Sequence, residues 1–168
     1  GDKSAYDFIK PILDSLAKPN GGHEYFGEGG AGHFVKMVHN GIEYGQMQAI
    51  SEGFGVLDKA PYNFDLVKVA KLWQKGTLVS GFFMDRSVEL LEQDPKLNNI
   101  VGQIGSATGE TEWMIEQAKA ENVPVENIQQ ALDFRKRSQT DTKIQKSFAA
   151  RMVAGIRNAF GGHEVKKK

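Results

Sequence analysis

One helical stretch carries a set of side chains suited to proton transfer and to binding a polyhydroxylated acid. On a helical wheel with 100° per residue, these side chains lie within one arc of about 140°. They are His33, Lys36, His39, Asn40, Glu43, Tyr44 and Met47. A solvated helix face is usually filled with Lys, Glu, Arg and Gln, whereas this arc mixes acidic, basic and neutral hydrogen-bonding groups. Lys36 and Glu43 lie two turns apart and could serve two carbons of one bound chain; the alternative is an ordinary solvated face.

The opposite side of this helix is apolar. Between about 240° and 300° on the same wheel, or close beside that range, lie small and apolar residues. They are Phe34, Val35, Val38, Gly41, Ile42, Gly45 and Ala49. We expect this side to pack against the rest of the domain.

Helical periodicity runs through the whole chain, and alternating strand patterns are nearly absent, so we predict an all-α fold. The domain is expected to be built around one long helix of about 28 residues over 31–58, a span broken only by isolated glycines. Shorter helices are predicted over 4–16, 65–74, 78–93, 111–121, 126–138 and 142–160, and segments containing Gly or Pro separate them.

Composition excludes several classes of function. The 168 residues carry 21 basic and 21 acidic side chains, and no cysteine. Balanced charge gives no bulk attraction to nucleic acid, and the lack of cysteine excludes disulfides and cysteine-ligated zinc. Because no apolar run could span a bilayer and no signal peptide is visible, we expect a soluble, cytoplasmic protein. Lys166, Lys167 and Lys168 are interpreted as a solvated chain end.

Residues 27–32 match the G-x-G-x-x-G pattern of a dinucleotide-binding loop, and Glu52 follows about 20 residues later, where such folds place an acid. That loop requires a buried strand before it and a second parallel strand that carries the acid. Here only the short run 23–26 precedes it, and Glu52 falls inside the same long helix. We therefore interpret 27–32 as a loop that leads into the helix.

Two motifs resemble those of one enzyme family. Residues 32–45 read GHFVKMVHNGIEYG, which closely resembles the signature helix of the 6-phosphogluconate dehydrogenases. Residues 157–163 read RNAFGGH, which is similar to the family's Arg-x-x-Phe-Gly-x-His tail. WQKG at 73–76 and VPV at 123–125 occur in the family's order, so the resemblance covers essentially the whole chain.

The resemblance implies oxidative decarboxylation of 6-phosphogluconate to ribulose 5-phosphate, with NAD or NADP and no metal. Lys36 would take the C3 hydroxyl proton and then assist loss of CO₂, which requires a neutral amine, as burial beside the cofactor would favour. Glu43 would protonate C1 of the enediol. His39 and Asn40 would bind the sugar hydroxyls and carboxylate, and Tyr44 would reach toward the phosphate.

The phosphate requires fixed positive charge, which a guanidinium supplies through forked donors. Arg157 is a candidate because its spacing to His163 agrees with the tail motif; Arg135 is a second candidate, with Arg137 as its rival. The resemblance implies that Arg157 and His163 complete a neighbouring subunit's site in a homodimer or higher homo-oligomer. The family usually has a phosphate-binding lysine in the loop corresponding to 102–113, and this loop has none. The chain resembles the shorter members, which use NAD rather than NADP.

The resemblance also implies a nucleotide-binding domain, and no alternating strand and helix pattern precedes Ser4. We interpret 1–30 as the linker or closing elements of a missing N-terminal Rossmann domain, which would bind the cofactor, and 31–168 as the helical domain. Alone, the chain is expected to be inactive as a dehydrogenase.

Two alternatives remain. A β-hydroxyacid dehydrogenase has a lysine followed by two adjacent asparagines, whereas this chain has His39 and Asn40. A noncatalytic helical dimerisation module would be free to lose Lys36, Glu43, Arg157 or His163, and their joint presence argues against it.

Overall fold

The long helix predicted over 31–58 is the central element of the computed structural model, which describes residues 1–106 and 109–167. In chain order the helices are α1 (Lys3–Leu16), α2 (Ala31–Lys59), α3 (Leu66–Trp73), α4 (Phe82–Gln93), α5 (Glu110–Ala120), α6 (Glu126–Arg137), α7 (Thr142–Gln145) and α8 (Phe148–Gly161). Helix α2 has 29 residues. Within the described ranges the only β-type pairing is an isolated bridge between Ile100 and Lys167. The all-α fold and the long helix are therefore confirmed.

Helix α2 buries only part of the side that the sequence predicted. Gly41 and Gly45 are buried, and Val38 packs against a small core cluster. Phe34, Val35 and Ile42 are 43%, 42% and 48% exposed, and Ala49 is exposed as well. The other buried residues of α2 are Met47, Gln48, Ser51 and Phe54. The prediction of a buried apolar stripe at Val35, Ile42 and Ala49 is therefore wrong.

Two glycines explain which side of α2 makes contact. A Cβ atom at Gly45 would lie 2.6 Å from the side-chain nitrogen of Asn127, and one at Gly41 would lie 3.0 Å from the sulfur of Met114. Because glycine has no side chain, α5 and α6 can approach the α2 backbone closely at these positions. The contact of α2 with α5 and α6 is thus set by small residues, whereas Met47 and Phe54 of α2 pack into the main core.

Two predicted helix boundaries differ from the structure. Helix α4 begins at Phe82 rather than at 78, because Gly81 has a φ of 128° that a right-handed helix cannot include. The single helix predicted over 142–160 is divided into α7 and α8. Ser147 causes the division: its side chain accepts a hydrogen bond from the backbone nitrogen of Ala150 and so begins a new helix.

The main core lies between α2, α4 and α8. Phe54 of α2, Leu91 of α4, and Met152 and Ile156 of α8 are completely buried. Truncating such side chains to alanine typically costs about 2–5 kcal/mol of stability. Because Arg157 directly follows Ile156, this packing also fixes the position of a candidate site residue.

Helix α1 stands apart from this core. It has no buried residue, and Phe8, Ile12 and Leu16 along its apolar stripe are 85%, 60% and 76% exposed. His23 ties the following segment back to it, with Nδ1 2.8 Å from the Tyr6 hydroxyl and Nε2 2.9 Å from Asp14 Oδ1. The apolar face of α1 has no partner among residues 1–106 and 109–167.

The glycine-rich segment before α2 is a loop, as interpreted from the sequence. Residues 17–30, all of which the structure describes, contain no strand. Gly27, Gly29 and Gly30 have positive φ angles, and Gly30 immediately precedes α2. In the described ranges, no helix combines the length and apolarity needed to cross a membrane.

Candidate active site

Four polar side chains converge on the open face of α2, and we call Lys36, His39, Asn40 and Glu43 the α2 cluster. Lys36 Nζ donates a hydrogen bond to Asn40 Oδ1 and lies 3.8 Å from Glu43 Oε1. His39 Nδ1 is 2.8 Å from the same Glu43 oxygen. Spacings of three and four residues place successive members side by side on a helix. One carboxylate is therefore adjacent to both an amine and an imidazole.

The α2 cluster is open to solvent. The side chains of Lys36 and His39 are 58% and 63% exposed, and that of Glu43 is 24% exposed. Lys36 borders a groove that Phe34, Met37 and Trp113 of α5 also line. The burial that the resemblance implies for Lys36 is not provided by residues 1–106 and 109–167 of this chain.

The second group of candidate residues is built around two buried arginines, and we call Tyr44, Arg135, Arg157 and His163 the arginine cluster. Arg135 is only 6% exposed. Its Nε donates to the carbonyl of Gly105 at 2.7 Å, and Nη2 donates to the carbonyl of Ser106 at 2.6 Å. Nη1 donates to the Tyr44 hydroxyl, and the guanidinium carbon is 4.7 Å from the centre of the Tyr44 ring. Arg135 is therefore held by three bonds to uncharged groups.

Arg157 gives the cluster a second buried positive charge. It is 9% exposed, and its Nη1 would lie 3.2 Å from a Cβ atom at Gly105. In the part of the chain that the structure describes, neither arginine forms an ion pair with a carboxylate. Burial, together with a smaller effect of the nearby Arg157 charge, lowers the pKa of Arg135 to about 9. Burial also lowers the pKa of Arg157.

Two buried cations that form no ion pair among the described residues favour the binding of an anion. Removing a charge from water is costly unless an opposite charge compensates it. The Arg135 guanidinium remains protonated near neutral pH, since its pKa of about 9 lies above it. A ligand with several negatively charged oxygens would compensate both charges and accept their forked donors.

His163 completes the arginine cluster from the chain segment after α8. Gly162 ends α8 in the left-handed region with a φ of 61°, and the Asn158 side chain donates to the His163 carbonyl at 2.9 Å. Partial burial lowers the pKa of the His163 imidazole, and the positive charges of Arg157 and Arg135 add to this effect. The ring is therefore mainly neutral at pH 7.

A single cavity of about 570 Å³ joins the two clusters. All four members of the arginine cluster line it, together with Asn40 and Glu43 of the α2 cluster. Lys36 and His39 open onto neighbouring grooves instead, on the other sides of the same helix. Glu43 borders both the cavity and the adjoining groove, so it lies where the two clusters meet.

The structure separates the two rival arginines of α6. Arg135 lines the cavity, whereas Arg137 is exposed on the other side of the helix. The sequence did not indicate several other lining residues, because no motif marks them: Gln103, Gly105, Glu110, Thr111, Gln139, Glu164 and Lys166. Phe160, which also lines the cavity, is the Phe of the tail motif. In the loop without a lysine, Ala107 and Thr108 lie outside the described residues.

The end of the chain is more ordered than predicted. The interpretation of Lys166 and Lys167 as a solvated chain end is incomplete, because the Val101 nitrogen donates to the Lys166 carbonyl at 2.8 Å. Lys167 forms the isolated bridge with Ile100. Lys168 lies outside the described residues.

Known proteins resemble this chain along its whole length. It is 40% identical to a putative 6-phosphogluconate dehydrogenase of Bacillus subtilis, with 100% of this chain and 54% of the relative covered. It is 37% identical to an NAD(+)-dependent, decarboxylating 6-phosphogluconate dehydrogenase of Haloferax volcanii, again over 100% of this chain and 55% of the relative. The chain therefore spans about half the length of the curated relatives it matches.

A solved structure and a family model agree with these relatives. Plasmodium falciparum 6-phosphogluconate dehydrogenase, described in its apo form, with NADP+ and with 6-phosphogluconate, aligns with a TM-score of 0.70. The two are 35% identical, and the alignment covers 83% of this chain and 32% of the other. The family model described as 6-phosphogluconate dehydrogenase, C-terminal domain, matches residues 32–163. Since that match covers most of the sequence, the chain belongs to the 6-phosphogluconate dehydrogenase family and corresponds to its C-terminal domain.

Proposed function

We propose that this chain is the substrate-binding and dimerisation domain of a decarboxylating dehydrogenase that converts 6-phosphogluconate to ribulose 5-phosphate with NAD or NADP. The observation that carries this proposal is the cavity that joins the α2 cluster to the arginine cluster. One end offers the Glu43 carboxylate and the Asn40 amide, with the Lys36 amine beside Glu43, and the other end offers buried positive charge. A sugar acid with a phosphate at its far end presents the matching groups in the same order.

The arginine cluster would bind the phosphate. Arg135 and Arg157 supply two positive charges, and the Tyr44 hydroxyl already lies against Arg135. Charge-assisted hydrogen bonds to phosphate oxygens are stronger than neutral ones and fix the orientation of the bound group. A β-hydroxyacid without a phosphate would leave both guanidiniums uncompensated, which disfavours that alternative.

The α2 cluster would carry out the proton transfers. Lys36 Nζ would accept the C3 hydroxyl proton as the hydride leaves C3, and would return a proton toward that oxygen as CO₂ departs. Glu43 would then protonate C1 of the enediol. His39 and Asn40 would hold the hydroxyls and the carboxylate. The distance of 3.8 Å from Lys36 Nζ to Glu43 Oε1 allows both groups to act on neighbouring carbons.

The open side of Lys36 is consistent with a cofactor supplied by another domain. A nicotinamide cofactor would accept the hydride, and the groove beside Phe34, Lys36 and Met37 leaves space next to the amine. Residues 1–30 would be the linker or closing elements of the nucleotide-binding domain. The exposed apolar stripe of α1, with Phe8 at 85% exposure, suits that role because it would otherwise face water.

A homodimer or higher homo-oligomer, with the tail completing a neighbouring site, remains a prediction. In the structure Arg157 and His163 line the same cavity as Tyr44 of their own chain. If the tail instead enters the cavity of a neighbouring subunit, α8 would have to move together with it, because Met152 and Ile156 hold α8 in the core. We expect a mixture of Arg157→Ala and Lys36→Ala subunits to recover some turnover through one intact composite site. No recovery in proven mixed oligomers would contradict the exchange of tails between subunits.

Binding of substrate fragments tests the proposed function directly. The isotope-labelled chain would be titrated with 6-phosphogluconate, gluconate and inorganic phosphate while backbone amide signals are followed by NMR. We expect 6-phosphogluconate to bind more tightly than either fragment and to shift signals of both clusters, at Glu43 and at Gly105. Arg157→Met should abolish the advantage of the phosphorylated ligand, whereas the exposed Arg137→Met should preserve it. Shifts confined to Gly105 and its neighbours, with no preference over inorganic phosphate, would contradict the proposal.

A further inference from the structure

The segment after α8 is held in place rather than free. Val165 is half-buried and packs against the main core. The backbone of Lys166 accepts a hydrogen bond from the Val101 nitrogen at 2.8 Å, and Lys167 pairs with Ile100 in an antiparallel bridge. These contacts fix the backbone on both sides of one lysine.

Lys166 consequently faces the cavity of the arginine cluster. In an extended segment, successive side chains point to opposite sides. Val165 points into the core, and Lys166 lines the cavity. Lys167, which the structure also describes, is not one of the residues that line it. Two adjacent lysines of the same tail thus have different surroundings.

The carboxylates that line the same cavity do not neutralise the charge of Lys166, which can therefore interact with a ligand. In the described part of the chain, Lys166 forms no ion pair. Glu110 and Glu164 line the cavity but are exposed, so water screens them. The remaining carboxylate, Glu43, lies within ion-pair distance of Lys36 and His39.

Three cations therefore surround one cavity: the buried Arg135 and Arg157, and Lys166 at its edge. The loop 102–113 adds none, because it contains no lysine or arginine. We propose that Lys166 is the third cation of an anion site for a phosphomonoester dianion, closing over the oxygens that the two guanidiniums leave exposed. A compact ammonium on a flexible stem suits this edge position, since its three donors can follow the ligand. The proposal rests on the proposed function only in assigning the substrate's phosphate to this cavity.

Inorganic phosphate tests Lys166 without requiring catalysis. The amide signals of Gly105 and His163 would be followed in titrations of the wild-type chain and of Lys166→Met, Lys166→Arg and Lys167→Met, with acetate as a monoanionic comparison. We expect Lys166→Met to raise the dissociation constant for phosphate about tenfold, as the loss of one charged hydrogen bond implies. Lys166→Arg should stay within about threefold of the wild type, and Lys167→Met should match it. The effect on acetate should be smaller, because it carries one charge.

Each outcome has a defined meaning. Equal phosphate affinity in Lys166→Met and Lys167→Met would overturn the proposal, and so would the absence of saturable phosphate binding in the wild type. Lys166-dependent phosphate binding in a protein that does not bind or turn over 6-phosphogluconate would leave the lysine's role standing while the proposed function fails. If the protein turns over 6-phosphogluconate and Lys166→Met leaves the Michaelis constant unchanged, the proposed function would stand while the role of Lys166 fails.

Discussion

The α2 cluster and the arginine cluster differ in how complete they are within this chain. The side chains of Lys36 and His39 are 58% and 63% exposed, whereas Arg135 and Arg157 are 6% and 9% exposed. The α2 cluster also balances its own charge, because Glu43 lies beside Lys36 and His39. The arginine cluster keeps an uncompensated positive charge among the described residues. The binding end of the site is thus preorganised, while the reactive end still lacks a covering surface.

This difference in burial indicates different roles for the two clusters. A site that holds its donors in fixed positions binds a matching group without further ordering cost. Efficient proton transfer additionally requires that water be excluded from the reacting groups. The amine of Lys36 is exposed to water in this chain. We therefore expect changes in the α2 cluster to affect turnover and changes in the arginine cluster to affect binding.

The largest expected effect is on turnover. In the complete dehydrogenase, Lys36→Ala should lower kcat by about 10²–10⁴-fold, because it removes the proposed general base, with little change in 6-phosphogluconate binding. Steady-state kinetics and a separate binding titration would measure the two effects. Lys59→Ala, at the exposed end of the same helix, is the matched control. Unchanged turnover in Lys36→Ala would refute the proposed mechanism.

The corresponding change in the arginine cluster should have a smaller effect on a different constant. Arg157→Met should raise the Michaelis constant for 6-phosphogluconate by roughly 30–100-fold with kcat changed far less, since phosphate contacts stabilise the bound ground state and the transition state alike. Arg137→Met on the exposed side of α6 serves as the control. A loss confined to kcat would show that the arginine cluster contributes to turnover rather than to binding.

The thermal stability of the chain should depend on the buried charge of Arg157. Because Arg157→Met removes a buried cation that has no ion-pair partner in residues 1–106 and 109–167, we expect the chain to become more stable by about 1–2 kcal/mol, or roughly 2–8 °C in Tm. Phosphate should raise the Tm of the wild type but not of the variant. Calorimetry with and without phosphate, at ionic strength matched with chloride, would measure both. A variant less stable than the wild type would indicate that Arg157 is mainly a packing residue.

The smallest expected effect is a pH dependence of anion binding. The pKa of His163 is lowered by burial and by Arg157 and Arg135. A bound dianion offsets those charges and raises this pKa, so binding takes up a proton and strengthens as the pH falls below about 7. Sulfate, which does not titrate there, should bind roughly threefold more tightly at about pH 6 than at about pH 7.5. NMR titrations of the wild type and His163→Gln would test this, and equal pH dependence in both would exclude His163 as the cause.

Folding stability should respond to His163 in the opposite direction. In the ligand-free chain the folded state holds the His163 proton less tightly than the unfolded state. The unfolded chain therefore binds more protons near pH 6, and the contribution of His163 to stability decreases as the pH falls through about 6.5. A bound anion should reduce this loss.

Local sequence patterns were sufficient to predict α2 and the identity of its polar arc. Helical period and the absence of breakers are properties of neighbouring residues, so the range 31–58 matched Ala31–Lys59 closely. The packed side of α2 was predicted only in part, because Gly41 and Gly45 are buried where they admit Met114 and Asn127 from other helices, whereas Val35, Ile42 and Ala49 beside them are exposed. A rule that ranks residues by hydrophobicity places no weight on a missing side chain.

The cavity required contacts between distant parts of the chain. Arg135 was a candidate from the family motifs, but its bonds to Gly105 and Ser106 depend on how α6 meets a loop 30 residues away. Lys166 had the local features of a solvated chain end, and only its pairing with Val101 distinguishes it. Motif matching could find the arginines, whereas the third cation became visible only in three dimensions.

The pairing of the tail with Ile100 and Val101 has a practical consequence for handling the protein. Residues appended after the tail would emerge beside the anion cavity, because Lys166 lines it and Lys167 is bridged next to it. A polyhistidine affinity tag fused there would bring extra imidazoles, and any metal they hold, within reach of the ligands used in the titrations above. A cleavable tag ahead of α1 avoids this, at the cost of placing it near the exposed apolar stripe.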